Sequence, residues 1–260
     1  MLDRNTFTER FGRRPIFGMV HLLPLPGAPL YGGSLDAVVD AAIADARAIE
    51  EGGAGGVIIE NFGDRPFFAS HVPQETMAAM TRVVGEITRA VKKPFGVNVL
   101  RNDAHAALAI AAATGAAFIR INVHTGAMLT DQGVIEGAAA ETLRLRRTLA
   151  PGVAIFADHL VKHAAPLAAV DPIQMAKDLR LRGLADAVIV TGAETGGAAD
   201  PSRLRMLREA IDAPLIIGSG LTPENAPSFR EADGAIVGTS LERNGRVDAK
   251  LVAAVVSAFH

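Results

Sequence analysis

The sequence predicts a single (β/α)8 barrel, and three observations predict it. Eight short apolar runs rich in β-branched residues recur along 260 residues, with helix-sized segments between them. The last two runs each stop at Gly and a hydroxyl residue: Leu215-Ile216-Ile217-Gly218-Ser219-Gly220 and Gly234-Ala235-Ile236-Val237-Gly238-Thr239-Ser240. The length fits as well, because such a barrel takes about 250 residues and leaves little over. An open doubly wound sheet is the alternative. Its GxGxxG turn is missing, since the first run leads into Leu22-Leu23-Pro24-Leu25-Pro26-Gly27.

The elements follow in order. Residues 1–14 form a polar leader in which Phe7 and Phe11 stand at i, i+4, as in a short helix laid on a barrel floor. The predicted strands are residues 15–22, 56–62, 95–100, 118–124, 153–160, 187–191, 215–217 and 234–237. Between the first two, Leu35, Val38, Val39, Ala42 and Ala46 make one helical face, and Met77, Met80, Val83, Val84 and Ile87 repeat the pattern after the second. Ser34, Asn102 and Asp171 stand where helix N-caps belong. Pro172, Pro201 and Pro223 fall at first-turn positions, the last opening a helix-sized segment at 222–232. Gly52, Gly53, Gly115 and Gly183 fall where helices should stop. Three connections after strands are long, at 23–33, 63–73 and 125–137, and would lie over the C-terminal face. Loops on the opposite face are short, apart from the segment around Leu167. No linker or second domain is visible, so residues 1–260 read as one domain.

Composition narrows the function classes. Apolar residues are 49% of the chain, enough for a large core. A net charge of −2 and the lack of any basic run argue against nucleic acid. With no cysteine, disulfides, thiolate metal sites and Cys nucleophiles are excluded. No stretch approaches the roughly 20 apolar residues of a membrane span, and the leader lacks a signal-peptide core. The expectation is a cytoplasmic protein without integral membrane association, and its apolar barrel helices are compatible with a homo-oligomer.

Strand alternation locates the chemistry. In Phe118-Ile119-Arg120-Ile121-Asn122-Val123-His124, alternation puts Ile119, Ile121 and Val123 toward the helices and Arg120, Asn122 and His124 into the barrel. A guanidinium there needs an anionic partner, and Glu60 and Asp158 are the candidates. Asn98 adds an amide at similar depth, while His21 ends the first strand and Thr191 the sixth. One such polar residue is usually a satisfied core group. Polar residues at the ends of six strands match the way barrels assemble active sites. Lys162 directly follows the fifth strand, whereas Lys92, Lys93, Lys177 and Lys250 sit in or beside helices. At the barrel rim it is a solvated lysine, an anion ligand, or, if desolvated, a base or Schiff-base nucleophile. The catalytic candidates are therefore Asp158, Lys162, Glu60, His124 and His21; Asn98, Arg120, Asn122 and Thr191 are candidates for binding substrate. Two adjacent Gly-rich strand exits can present backbone N–H groups to one phosphate, which assigns Gly218, Ser219, Gly220, Gly238, Thr239 and Ser240 to an anion cup. No cofactor is expected. His124, His159, His163 and the carboxylates could donate to a divalent metal, but no HxH or HExxH spacing joins them, so no metal is expected.

Several blocks together resemble the BtpA/SgcQ family. They are Met19-Val20-His21-Leu22 with Leu25-Pro26-Gly27, Glu60-Asn61-Phe62-Gly63-Asp64, and Gly96-Val97-Asn98-Val99-Leu100-Arg101-Asn102. Further blocks are Arg120-Ile121-Asn122-Val123-His124-Thr125-Gly126, Ala157-Asp158 with Lys162-His163, and Thr191-Gly192 followed by Glu194-Thr195-Gly196. They run from about residue 15 to 242, nearly the whole chain. The resemblance implies a ribulose-phosphate-binding-type barrel and a phosphorylated ligand, and it places Glu60, Asn98, Arg120, Asn122, His124, Asp158 and Lys162 in family motifs. The family takes its name from a photosystem I biogenesis factor, and some of its members look associated with sugar uptake and phosphosugar genes. Two functions are consistent with this: an isomerase, epimerase or aldolase-type lyase acting on a small phosphorylated metabolite in carbohydrate metabolism, or a non-catalytic assembly or stabilising factor on a barrel scaffold. A flavin-phosphate binder ranks last, because aromatics are scarce.

Overall fold

A computed structural model describes residues 1–192 and 197–260. Eight parallel strands close on themselves: β1 (Ile16–His21), β2 (Gly56–Glu60), β3 (Phe95–Asn98), β4 (Phe118–Ile121), β5 (Ala154–His159), β6 (Ala187–Val190), β7 (Leu215–Ile217) and β8 (Gly234–Val237). They follow one another around the barrel in chain order, with β8 returning to pair with β1. Both faces of each strand are covered, which explains why the sequence shows continuous apolar runs there.

Helices Leu35–Glu51, Gln74–Ala90, Ala104–Thr114, Ala139–Leu149, Pro172–Lys177, Pro201–Ala210 and Ala249–Phe259 pack outside. Ser34 and Asp171 cap as expected. The third barrel helix is capped instead by Asp103, whose carboxylate accepts from Ala106 N at 2.9 Å. Asn102 is drawn away by a two-way clamp on Val123, accepting from its N–H and donating to its C=O, each at 2.8 Å. The expected helix in 222–232 is only a 3-10 turn, Ala226–Phe229. Pro227 removes a donor inside that segment, and Asn225 spends its side chain on Thr222 N and Gly220 O.

The long connection at 125–137 folds into a hairpin, Ala127–Thr130 with Gly133–Glu136, and Ala164–Pro166 adds a third strand to it. The segment around Leu167 thus continues the connection after β5. It lies over the C-terminal face, not on the opposite side where sequence reading put it.

The leader forms the helix Arg4–Phe11, held by a capping box between Asp3 and Thr6. Its Phe7 and Phe11 enter the barrel from below and meet Phe17, Phe118 and Phe156, with the last two stacked at 4.3 Å. Arg10 fixes the plug by donating to the carbonyls of Ala117 and Gly152. Gly96 makes room for this cluster, since a Cβ there would lie 2.2 Å from the Phe118 ring. The helix closes the floor, so the barrel opens only toward its C-terminal end. Phe11→Ala should therefore cost about 3–5 kcal/mol in urea denaturation, and a loss below about 1 kcal/mol would show that the floor closes without it.

Candidate active site

Strand register builds the site. His21 on β1 pairs with Glu60 on β2, Glu60 with Asn98 on β3, and Asn98 with Arg120 on β4. Four polar side chains therefore share one level directly above the Phe layer. One step higher, Asn122 stands beside Asp158, because Ile121 pairs with Ala157. Arg120 donates to both oxygens of Asp158, at 3.2 and 3.1 Å, and Asn122 Nδ2 adds a third bond at 2.7 Å. Asn98 Nδ2 donates to the Arg120 carbonyl and to Asn122 Oδ1. The pair is fully enclosed, and the neighbouring carboxylates hold the Arg120 guanidinium above its ordinary range against the opposing effect of burial. Asp158 thus has both oxygens committed.

Glu60 differs. It is buried, yet it lines the open cavity, and its nearest ionisable partner among the described residues is His21 Nε2 at 3.8 Å. His21 Nδ1–H donates to Glu242 Oε1 at 2.8 Å, which turns Nε2 toward Glu60 and lowers the Glu242 carboxyl. Lys162 closes the opposite side of the cavity. Burial lowers its ammonium below the ordinary lysine range, helped by Arg120 and opposed by Glu60 and Asp158.

The residues expected to form an anion cup line the same cavity. A space of about 270 Å³ is lined by Gly218, Ser219, Gly220, Gly238, Thr239 and Ser240 together with His21, Glu60, Arg120 and Lys162. Among the described residues, no backbone acceptor takes the N–H groups of Gly220, Thr239 or Ser240. Gly220 is required, with φ +65° and the backbone of Ala198 at 2.4 Å from where a Cβ would sit. The Ser219 hydroxyl is spent on the Gly197 carbonyl and the Ser240 hydroxyl on that of Leu221, so the cup is formed mainly by backbone. A second lobe of about 540 Å³ shares Glu60, Arg120 and Lys162 with the first and continues past Phe62, Phe67, Arg65, Arg101 and Asp131.

Two candidates stand apart. Thr191 packs under the cup, its hydroxyl donating to the Leu160 carbonyl at 3.4 Å and its methyl beside Gly218. His124 does not reach the cluster: Asn122, one residue past β4, still turns inward to Asp158, but by His124 the chain has left the inward face. Its Nε2–H donates to the Gly183 carbonyl at 2.8 Å, and burial lowers its pKa. Sequence reading missed Glu242 and Arg101. Glu242 follows the second Gly-rich turn by two residues, and Arg101 lies in the Gly96–Asn102 block, so both could have been found by asking what else the strand exits carry. The motif residues Glu194, Thr195 and Gly196 lie outside the described residues. Among the described residues, no group of three or more His, Asp or Glu could hold a metal, and no helix is long and apolar enough to cross a membrane.

Fold and site together define a (β/α)8 barrel with a polar cleft at its C-terminal end. The sequence model of the BtpA family matches residues 12–260, and the chain belongs to that family. It is 46% identical to the photosystem I biogenesis protein BtpA of Synechocystis, over 94% of this chain and 86% of that one. An uncharacterised protein of Thermococcus kodakarensis is also 46% identical, over 92% and 90% of the two chains. Among solved structures, thiamine phosphate pyrophosphorylase from Pyrococcus furiosus superposes with a TM-score of 0.60 at 14% identity, covering 94% and 95% of the chains. Phosphoribosyl anthranilate isomerase from Thermococcus kodakaraensis gives 0.56 at 16% identity, over 94% and 98%. These likenesses establish the barrel.

Two measurements test this geometry. Asp158→Ala leaves a buried guanidinium unpaired and should cost about 3–5 kcal/mol, much of it recovered when Arg120→Met is added; a double variant no more stable than the single one would contradict the pairing. His159 is buried, with Nε2–H donating to the Pro172 carbonyl, and burial lowers its pKa to about 4. The unfolded chain takes up this proton first, so stability should fall as pH drops from about 6.5 to about 4. His159→Gln should flatten the pH-dependence of the denaturation midpoint in that window, and an unchanged slope would refute the assignment.

Proposed function

We propose that the protein is an enzyme acting on a phosphorylated sugar or similar small phosphometabolite, by proton transfer next to a carbonyl. One observation carries this reading: the backbone cup and the ionisable groups Glu60, Lys162 and His21 line the same cavity. A phosphate in the cup would place the carbons next to it against those groups. That arrangement spends binding energy on positioning, which is where such reactions gain most of their rate.

Glu60 is the best-placed proton carrier, because its carboxylate faces the cavity while Asp158 is fully engaged. In an isomerase or epimerase, Glu60 would take the proton from the carbon beside the carbonyl. The electron pair would move onto the carbonyl oxygen, and a proton would then return to the neighbouring carbon or to the opposite face. Lys162 and Arg120 would hold the oxyanion. In an aldolase-type lyase, a hydroxyl proton would leave, the C–C bond would break, and the same cations would receive the enolate. The lowered Lys162 ammonium also suits a Schiff-base route. Asp158 serves as a positioning residue for Arg120. His21, oriented by Glu242, is the partner to Glu60. Neighbours in fold whose names carry a phosphorylated substrate support the reading by analogy.

The second reading is a non-catalytic assembly factor, and the name of the Synechocystis relative favours it. The two readings diverge under mutation, since an assembly factor has no need of Glu60 ionisation. A thermal-shift screen of phosphorylated sugars against their dephosphorylated counterparts should show binding only of the former. On the substrate so identified, Glu60→Gln and Lys162→Met should each lower turnover by more than about a hundredfold, and borohydride trapping would distinguish a Schiff base from simple proton transfer. Equal affinity for phosphorylated and dephosphorylated compounds would remove the basis of the proposal.

A further inference from the structure

The second lobe of the cleft holds a charge that has no ion-pair partner among the described residues. Arg101 follows β3, where its N–H donates to the Phe68 carbonyl and its guanidinium reaches the Lys162 carbonyl at 2.7 Å. The side chain is buried, with 6% of the residue exposed. No other hydrogen bond and no ion pair is made by its guanidinium among the described residues, although it lines the open lobe. Arg120 beside it is the opposite case, its charge matched oxygen for oxygen by Asp158. A buried guanidinium without a carboxylate is costly, and an incoming anion removes the cost.

The surroundings agree. Arg65 lies over the Phe62 ring at 5.0 Å and makes no ion pair among the described residues. Phe62 and Phe67, 6.5 Å apart, wall the lobe with surfaces that compete for no hydrogen bond. Among the described residues, the carboxylates lining this lobe are Glu60 and Asp131, against Arg65, Arg101 and Lys162, with Arg120 already paired to Asp158. Burial lowers the Arg101 guanidinium, and Asp158 and Glu60 offset this only in part.

Resting on the phosphate reading of the cup, we infer that the substrate carries a second anionic group, remote from its phosphate, which binds between Arg101 and Arg65. The two lobes meet at Glu60, Arg120 and Lys162. A doubly anionic chain would therefore be held at both ends, with its central carbons on the reactive groups. Phosphorylated sugar acids and sugar bisphosphates have this form. Phosphorylated neutral sugars and polyols lack the second grip.

Matched probes test the inference by calorimetry. 3-Phosphoglycerate is compared with glycerol 3-phosphate, 4-phosphoerythronate with erythritol 4-phosphate, and 6-phosphogluconate with sorbitol 6-phosphate; ribulose 1,5-bisphosphate and inorganic phosphate complete the set. In at least one pair the carboxylate member, or else the bisphosphate relative to the monophosphates, should bind at least tenfold more tightly. The carboxylate and bisphosphate arms identify the second anion. Arg101→Gln should abolish the preference while leaving inorganic phosphate affinity within twofold. Arg65→Gln, a change at an exposed side chain, should reduce the preference two- to fivefold. If Arg101→Gln fails to fold, the Arg65 variant decides: an unreduced preference overturns the inference. Equal binding within every pair, with inorganic phosphate still bound, would overturn the second anion and spare the cup. Failure of every phosphorylated probe and of inorganic phosphate would overturn both.

Discussion

The bidentate bond between Arg120 and Asp158 is the constraint around which the upper barrel is organised. A guanidinium inside a closed barrel is tolerable only with its charge opposed and its donors filled. Asp158 opposes the charge and takes two of the donors from the neighbouring strand, Asn122 completes the carboxylate, and Asn98 ties the strand backbone to the pair. This network fixes how far β4 and β5 can move relative to each other. It also leaves Glu60, which lines the cavity, outside the bonded pair.

Below that level the physics is apolar. The Phe layer fed by the N-terminal helix excludes water from the floor, so the polar level above it is solvated from one side only. That asymmetry lowers the Lys162 ammonium by burial without trapping the residue away from the cleft. The same chain thus separates a dry half that holds the fold together from a wet half in which charges are placed for use.

Much of this was legible in the chain because strands buried on both faces leave a plain record: short β-branched runs punctuated by Gly and caps. The inward placement of Arg120 followed from alternation, and the two adjacent Gly-hydroxyl exits do line one cavity. What failed did so where local rules stop applying. His124 lay three residues beyond the last paired residue of β4, and alternation carried only as far as Asn122. Asn102 and Asp103 are equally good caps in isolation, and only the tertiary clamp on Val123 decided between them. The segment at 222–232 has helical length, but Pro227 and the Asn225 bonds favour a tight turn. Glu242 and Arg101 matter because of what they face, and facing is a property of the folded chain.

The three-stranded sheet over the rim links connections that are distant in sequence. Ala164 pairs with Thr130, so Lys162 lies two residues upstream of a ladder anchored in the hairpin, whose tip residue Asp131 also borders the cleft. Ladders of this kind do not slide continuously: a one-residue slip advances the strand by about 3.3 Å and turns every side chain to the other face, so only two-residue steps restore the original facing. The reach of the Lys162 amine into the cleft is therefore quantised. Insertions or deletions between Lys162 and the ladder at Ala164 would not tune that reach by small amounts; they would move it by whole notches.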